Sequence, residues 1–207
     1  MANFHLHSKS FIDTLSFTPN NIIVEIGSDR AEGSTEWFNN IASLLNVNFY
    51  SVDVVDYASI VLKHLQNTKF VVTESGSKWA HDELPKLDKK IKVLYLDNYD
   101  WISTMSHIND QELQQIEEYK KRSVEMSNLD CQREHLHQMV GCLPYMDSES
   151  LIICDDTPYN TSSGVYFGKN GAVVPYLLNY GYQIVFGRGH NRDCPEDNGI
   201  ILYRSNR

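Results

Sequence analysis

Several ligand-binding and targeting signatures are missing from this 207-residue chain. It has no run of 18 apolar residues, so no membrane-spanning helix is expected. Met1 to Ser10 is polar, carrying His5, His7 and Lys9, and lacks the basic start and apolar centre of a secretory signal. The four cysteines, Cys131, Cys142, Cys154 and Cys194, include no C-x-x-C pair. Without an export signal they are expected to be reduced thiols in a cytoplasmic protein. Basic runs are absent too: 18 Lys and Arg face 27 Asp and Glu, a formal net charge of −9. That balance argues against a broad nucleic-acid or anionic-membrane footprint. Two phosphate-binding loops are also missing. Gly27 is followed by Ser28-Asp29, not by the glycine that G-x-G-x-x-G requires, and no G-x-x-x-x-G-K-[ST] occurs.

What is present is an alternation of apolar strands and amphipathic helices. Hydrophobic residues make up 42% and charged residues 22%, ordinary for a globular protein, and the length suits one α/β domain over residues 1–207. Short apolar runs predict strands at Asn21–Ile26, Asn48–Val54, Lys69–Thr73, Ile91–Asp97 and Ser150–Asp156. Helical spacing recurs near Ser10–Phe17, over Glu36–Leu45, Tyr57–Leu65 and Ser77–Leu87, from Asp110 to Met146, and over Gly171–Asn179. Gly181–Phe186 and Gly199–Tyr203 read as an antiparallel pair around a loop. The expected fold is therefore a Rossmann-like, doubly wound, mostly parallel sheet. It has seven strands, a C-terminal antiparallel hairpin and helices on both faces. The helical insertion at about 101–146 is long for a crossover and would serve as a lid or as a homo-oligomer surface.

The stretch Val24 to Thr35 joins the first strand to a helix through Gly27, Ser28, Gly33, Ser34 and Thr35. A sharp turn of small residues lets a ligand approach the backbone at a helix N-terminus, although glycines there also serve plain sterics. Acids stand at or near the end of each strand: Glu25, Asp53, Glu74, Asp97 and the pair Asp155-Asp156. Ligands of open parallel sheets bind at this edge, and an acid ending strand two commonly accepts ribose hydroxyls. Asp53 fits that role or a helix cap. Asp97, Asp155 and Asp156 would lie roughly 5 Å apart on neighbouring strands. They could share Mg²⁺ or Mn²⁺; alternatively Asp156 caps a turn and only Asp97 faces the ligand.

In order along the chain, Glu25-x-Gly27, Gly33-Ser34-Thr35, Asp53, Asp97 and Asp155-Asp156 resemble class I S-adenosylmethionine-dependent methyltransferases. Within that class the likeness is to the macrocin-type metal-dependent O-methyltransferases, and more distantly to the catechol type. The resemblance implies that the turn from Glu25 to Thr35, including Ser28, holds the methionine part of S-adenosylmethionine. Asp53 would hold its ribose, Ser75 and Gly76 would lie near its adenine, and Asp97 would contribute to the same site. Asp97, Asp155 and Asp156 would match the metal ligands. The macrocin-type Asp-Gly-Asp-Trp pattern is one residue longer here, Asp97-Asn98-Tyr99-Asp100-Trp101. Asp100 also stands where the catechol type has a lysine. The chemistry is in-line transfer to an oxygen of a small sugar- or polyol-like acceptor, with Asp100, His135 or His107 taking the proton.

Other patterns are weaker. Asp156-Thr157-Pro158-Tyr159 superficially resembles the D-P-P-Y of DNA amino-methylating enzymes, but it follows strand five and has a threonine at its second position. Cys131 and Cys142 stand about 16 Å apart on a continuous helix, too far to share zinc with His135. Gly168-Lys169-Asn170-Gly171 is only loosely a phosphate loop, from which Lys169 could reach an anionic substrate. The alternatives to a methyltransferase are a non-catalytic cofactor-binding or assembly protein of the same fold, and an NAD-linked oxidoreductase.

Overall fold

The apolar run Asn21–Ile26 (β1) is buried along its whole length and lies third in a seven-stranded sheet. The computed structural model describes residues 8–28, 33–102, 108–187 and 199–205. After β1 come helix α1 (Ser34–Leu45), β2 (Asn48–Asp53), α2 (Tyr57–Val61), β3 (Thr68–Val72) and α3 (Gly76–Asp82). They are followed by β4 (Lys90–Leu96), α4 (Asp110–Lys121), α5 (Asn128–Cys142) and β5 (Met146–Cys154). The small hairpin β6 (Tyr159–Asn160) and β7 (Val165–Tyr166), helix α6 (Val173–Asn179), β8 (Gln183–Phe186) and β9 (Ile200–Arg204) complete the order.

Sheet order is β3-β2-β1-β4-β5-β9-β8. β1 pairs in parallel with β2 and β4, and β5 in parallel with β4; β9 runs antiparallel to both β5 and β8. The expected architecture, with its terminal antiparallel pair, is what the chain forms. Both faces are covered because successive side chains of a strand point to opposite sides. Ile22, Val24 and Ile26 join Trp79 of α3, Met139 of α5 and Leu177 of α6 in one core; Ile23 joins Phe38 and Ile41 of α1 and Ile12 in the other.

Several boundaries differ from the sequence reading. Among the described residues the N-terminal helix covers 8–12, ending well before the expected Phe17. The long helical stretch divides into α4 and α5, each begun by its own cap. Asn109 and Glu112 make a reciprocal capping box, and Ser127 accepts from the Asp130 N–H. The helical stretch ends in a 3₁₀ turn, Leu143–Tyr145, with Pro144 at its start, so β5 begins at Met146. The expected loop beyond Gly187, Cys194 and His107 lie outside the described residues.

Strand order reverses between β1 and β4, and there the two carboxyl ends come close. Gly27 has φ +103°, and a Cβ on it would lie 2.4 Å from the Asn98 nitrogen and 2.5 Å from the Asp97 carbonyl carbon. The ladder runs on past the strands: Gly27 N–H donates to Val52 O (2.9 Å), Asp97 N–H to Ile26 O (3.0 Å) and Asp155 N–H to Leu96 O (3.2 Å). Only glycine accepts both the dihedral and the contact. Gly27→Ala is expected to cost about 3 kcal/mol or more in urea unfolding, combining backbone strain with overpacking against main chain. A loss below about 1 kcal/mol would show that the two strand ends are not held this closely.

Candidate active site

The carboxyl ends of β1, β2 and β4 border a polar cleft. Its walls include Gly27, Ser28 and Ser34 from the first turn, Asp53 and Val54 after β2, and Asp97 to Asp100 after β4. Tyr119, Arg122 and Lys169 close it. Val54, Asn98, Tyr99, Tyr119 and Arg122 also border an adjoining cavity of about 770 Å³ between the strand ends and helices α4 and α5. Ser75 lines that second cavity.

Glu25 is fully buried in β1. Its Oε2 accepts from Thr35 Oγ1 (2.7 Å) and Ser51 Oγ (2.9 Å), while Oε1 has no hydrogen-bond partner among the described residues. Burial raises its pKa from 4.5 to about 7, against the pull of these hydroxyls. Burial thus favours the protonated acid beside the turn that begins at Gly27.

Asp53 is differently placed. Its Oδ2 accepts from the Ser28 N–H (2.7 Å) and, at a long 3.4 Å, from Ser28 Oγ; Oδ1 accepts from the Val54 (2.6 Å) and Val55 (3.0 Å) N–H groups. A carboxylate offers about four lone-pair positions, and these donors are among those that occupy them. Asp53 thus braces the β1 turn against β2, and a ribose hydroxyl would reach it by displacing the weak Ser28 Oγ bond. Ser75 caps α3 by accepting from the Lys78 N–H. Gly76 packs closely, since a Cβ there would lie 2.4 Å from Ile26 Cγ2. Gly33 begins α1 at φ +108°, and a Cβ there would meet nothing within 4 Å among the described residues.

The three aspartates expected to share a metal ion do gather at the edge, but they do not form an oxygen-lined cation site. Lys169 Nζ lies 2.6 Å from Asp97 Oδ1 and 3.2 Å from Asp156 Oδ2. Asp155 is turned toward Tyr95, whose hydroxyl lies 2.7 Å from Asp155 Oδ2 and 3.1 Å from Asp97 Oδ2. Among the described residues, no group of three His, Cys, Asp or Glu side chains could hold a metal ion. The Lys169 ammonium rests between Asp97 and Asp156 instead. Burial pushes the Asp97 and Asp155 carboxyls above their usual range even with this lysine beside them. Burial also opposes the charge on Lys169, but Asp97, Asp156 and Asp155 outweigh it and hold the ammonium protonated well past its usual range.

Asp100 lines the cleft, and its Oδ1 accepts from Gln115 Nε2 (3.1 Å) on α4. Its N–H donates to the Tyr119 hydroxyl (2.8 Å), and the Tyr119 ring packs at a tilt against Tyr99 with centroids 4.9 Å apart. Tyr99 adopts φ +63°, a left-handed conformation costly for a bulky side chain, directly after β4. His135 is elsewhere. It is fully buried in α5, its Nδ1–H donates to Cys131 O (2.8 Å), and burial depresses its pKa to about 3. A histidine without solvent access is not placed to exchange a proton with an acceptor in the cleft.

Sequence reasoning missed Tyr99, Tyr119, Arg122 and Asn170 as parts of this region. Asn170 Nδ2 bridges Leu96 O (3.2 Å) and Asp155 O (3.0 Å), joining the β4 and β5 ends. The available signal was the Gly168-Lys169-Asn170-Gly171 run, in which a lysine stands between glycines.

Glu25 gives this edge a pH dependence whose sign is fixed. Its pKa is raised in the folded state, so the native chain binds the proton more tightly than the unfolded chain. The contribution is favourable below pH 4.5 and is lost as pH rises through about 7. Glu25→Gln, which cannot ionise, is expected to gain up to about 3 kcal/mol on wild type between pH 5 and pH 8 in urea unfolding. A constant difference across that range would mean that Glu25 is ionised throughout.

No family model matches the chain, and no curated protein matches it. Solved structures do. A structure named as a ribosomal RNA methyltransferase from Plasmodium falciparum superposes with TM-score 0.53 at 12% identity, covering 100% of this chain and 97% of that one. The methyltransferase domain of the citrinin polyketide synthase gives TM-score 0.59 at 12% identity, with 98% of this chain covering 51% of that chain. The N-methyltransferase NodS of Bradyrhizobium japonicum, bound to S-adenosylhomocysteine, gives TM-score 0.50 at 10% identity, covering 98% and 86%. At such identities the likeness is one of fold: this chain has the architecture in which these methyltransferases are built.

Proposed function

We propose that this protein transfers a methyl group from S-adenosylmethionine to an oxygen of a small, polyol-like acceptor. The carrying observation is the convergence of Gly27, Asp53 and Asp97 at the point where strand order reverses, beside a cleft. The residues suit such a ligand. Gly27 lets the turn after β1 close against the main chain of Asp97 and Asn98, and Glu25 Oε1, without a partner among the described residues, is a buried acceptor beside it. Ser28 and Asp53 stand where ribose hydroxyls would be met, and the cavity lined by Val54, Ser75 and Tyr99 has room for a purine.

S-adenosylmethionine would supply an electrophilic methyl on a positively charged sulfur. This chain's part is to bind, orient and exclude water. The walls of the smaller cleft include Asp97, Asp100, Glu118, Arg122 and Lys169, a lining that favours a hydroxyl-rich acceptor over an apolar ring. Asp100 is the group we assign to take the acceptor's proton. The reading needs no divalent ion.

Titration calorimetry with S-adenosylmethionine, S-adenosylhomocysteine and NADH tests it. Binding of the first two at one site per chain is expected, with no heat from NADH. Asp53→Asn should weaken both by about tenfold, the cost of losing a charged hydrogen-bond acceptor. Heat with NADH alone would favour the oxidoreductase; heat with none would sink the reading.

A further inference from the structure

Lys169 is held in place by its neighbours on the chain. Its N–H donates to Asp156 O (2.9 Å), and Asp156 itself turns with φ +43°. A Cβ on the preceding Gly168 would lie 1.9 Å from the Asp156 carbonyl oxygen, so a glycine must stand there. The following Asn170 ties the segment to Leu96 O and Asp155 O. The turn after β5 and the start of α6 thus fix the root of the lysine from both sides. Its ammonium rests on Asp97 and Asp156, and the residue is 8% exposed where it borders the cleft.

The charges explain why a cation is needed at this position. Three carboxylates meet at the ends of β4 and β5, and Tyr95 has one hydroxyl hydrogen to share between two of them. Like charges gathered away from water repel one another, so an uncompensated cluster would be disfavoured. A divalent ion would bind oxygen at about 2.1 Å. Lys169 Nζ already stands 2.6 Å from Asp97 Oδ1, and two cations sharing that oxygen would repel one another. One excludes the other.

We propose that Lys169 stands in for a divalent ion at this site and holds the acceptor's oxygen through its remaining N–H. An ammonium has three donors, and among the described residues two carboxylates are its partners. The proposal rests on the methyltransferase reading for its acceptor, though not for its cation. In the step itself the acceptor hydroxyl gives its proton to the Asp100 carboxylate. The oxygen's electron pair forms the new C–O bond while the C–S bond breaks, and that bond's electron pair stays on sulfur as a neutral thioether. Lys169 keeps its proton throughout and stabilises the negative charge developing on the oxygen.

The test has two arms on the purified full chain. In the first, Mn²⁺ alone is titrated and followed by electron paramagnetic resonance. Wild type and Lys169→Arg are expected to bind no ion at 1 mM or below, on the order of the weakest protein sites. Lys169→Ala and Lys169→Gln should bind one ion at least tenfold more tightly than wild type. Should one of these two fail to fold, the other and wild type still decide. Stoichiometric Mn²⁺ binding by wild type overturns the proposal, and so does equal indifference of all four proteins. In the second arm, methyl label from S-adenosylmethionine is followed into the small-molecule fraction of a cell extract. Transfer by wild type should survive EDTA, fall at least a hundredfold in Lys169→Gln and return in part in Lys169→Arg. Loss of wild-type transfer in EDTA overturns the proposal. Absence of wild-type transfer in any condition counts against the methyltransferase reading, and the Mn²⁺ arm then decides for Lys169.

Discussion

The approach of β1 to β4 at Gly27 is the constraint on which the rest of the edge depends. A side chain there would collide with the main chain of Asp97 and Asn98, so the turn after β1 and the turn after β4 share one wall. Asp53 then reaches across to the Ser28 N–H and fixes the same turn from the β2 side. Asn170 performs the corresponding task between β4 and β5. Four strand ends are thereby tied into one rim, and the cleft is a consequence of that rim.

Electrostatics at the rim follow from burial. Parallel strands covered on both faces leave their acidic ends with little water, and the carboxyls of Glu25, Asp97 and Asp155 all shift toward holding their protons. The chain answers with hydroxyls around Glu25 and with an ammonium at Asp97 and Asp156. The opposite end of the sheet repeats the device. Lys92, nearly buried in β4, lies 3.3 Å from Glu149 and 3.7 Å from Asp147, and Tyr203 donates to Glu149. Lys92 is not part of the cleft, and its role there is to pin the start of β5. Lys169 differs because it borders the cleft beside Asp100 and Ser28.

The sheet was largely legible in the sequence because the central strands are apolar and short, and their alternation with helices allows few topologies. The apolar run Asn21–Ile26 coincides with β1 to the residue, and the terminal pair follows the two apolar runs near the C-terminus. Helical spacing marks the insertion, but its division into α4 and α5 depends on caps at Asn109 and Ser127 that a charged, periodic stretch conceals. The site was half legible. Acids at strand ends mark the edge, and Asp97, Asp155 and Asp156 do gather there. Their partner was not foreseen, because Lys169 is 72 residues from Asp97 along the chain and reaches it only through the turn that Gly168 and Asn170 create. His135 failed for a related reason: helical spacing does not tell which face of α5 meets the core.

Whether the ligand lies on the carboxyl rim around Gly27 is read by following backbone amide resonances while S-adenosylhomocysteine is added. Shifts are expected at Gly27, Ser28, Val54 and Asn98, with Asn21, Lys90 and Asp147 at the far edge unmoved. Shifts confined to that far edge, or none at saturating ligand, would contradict that placement.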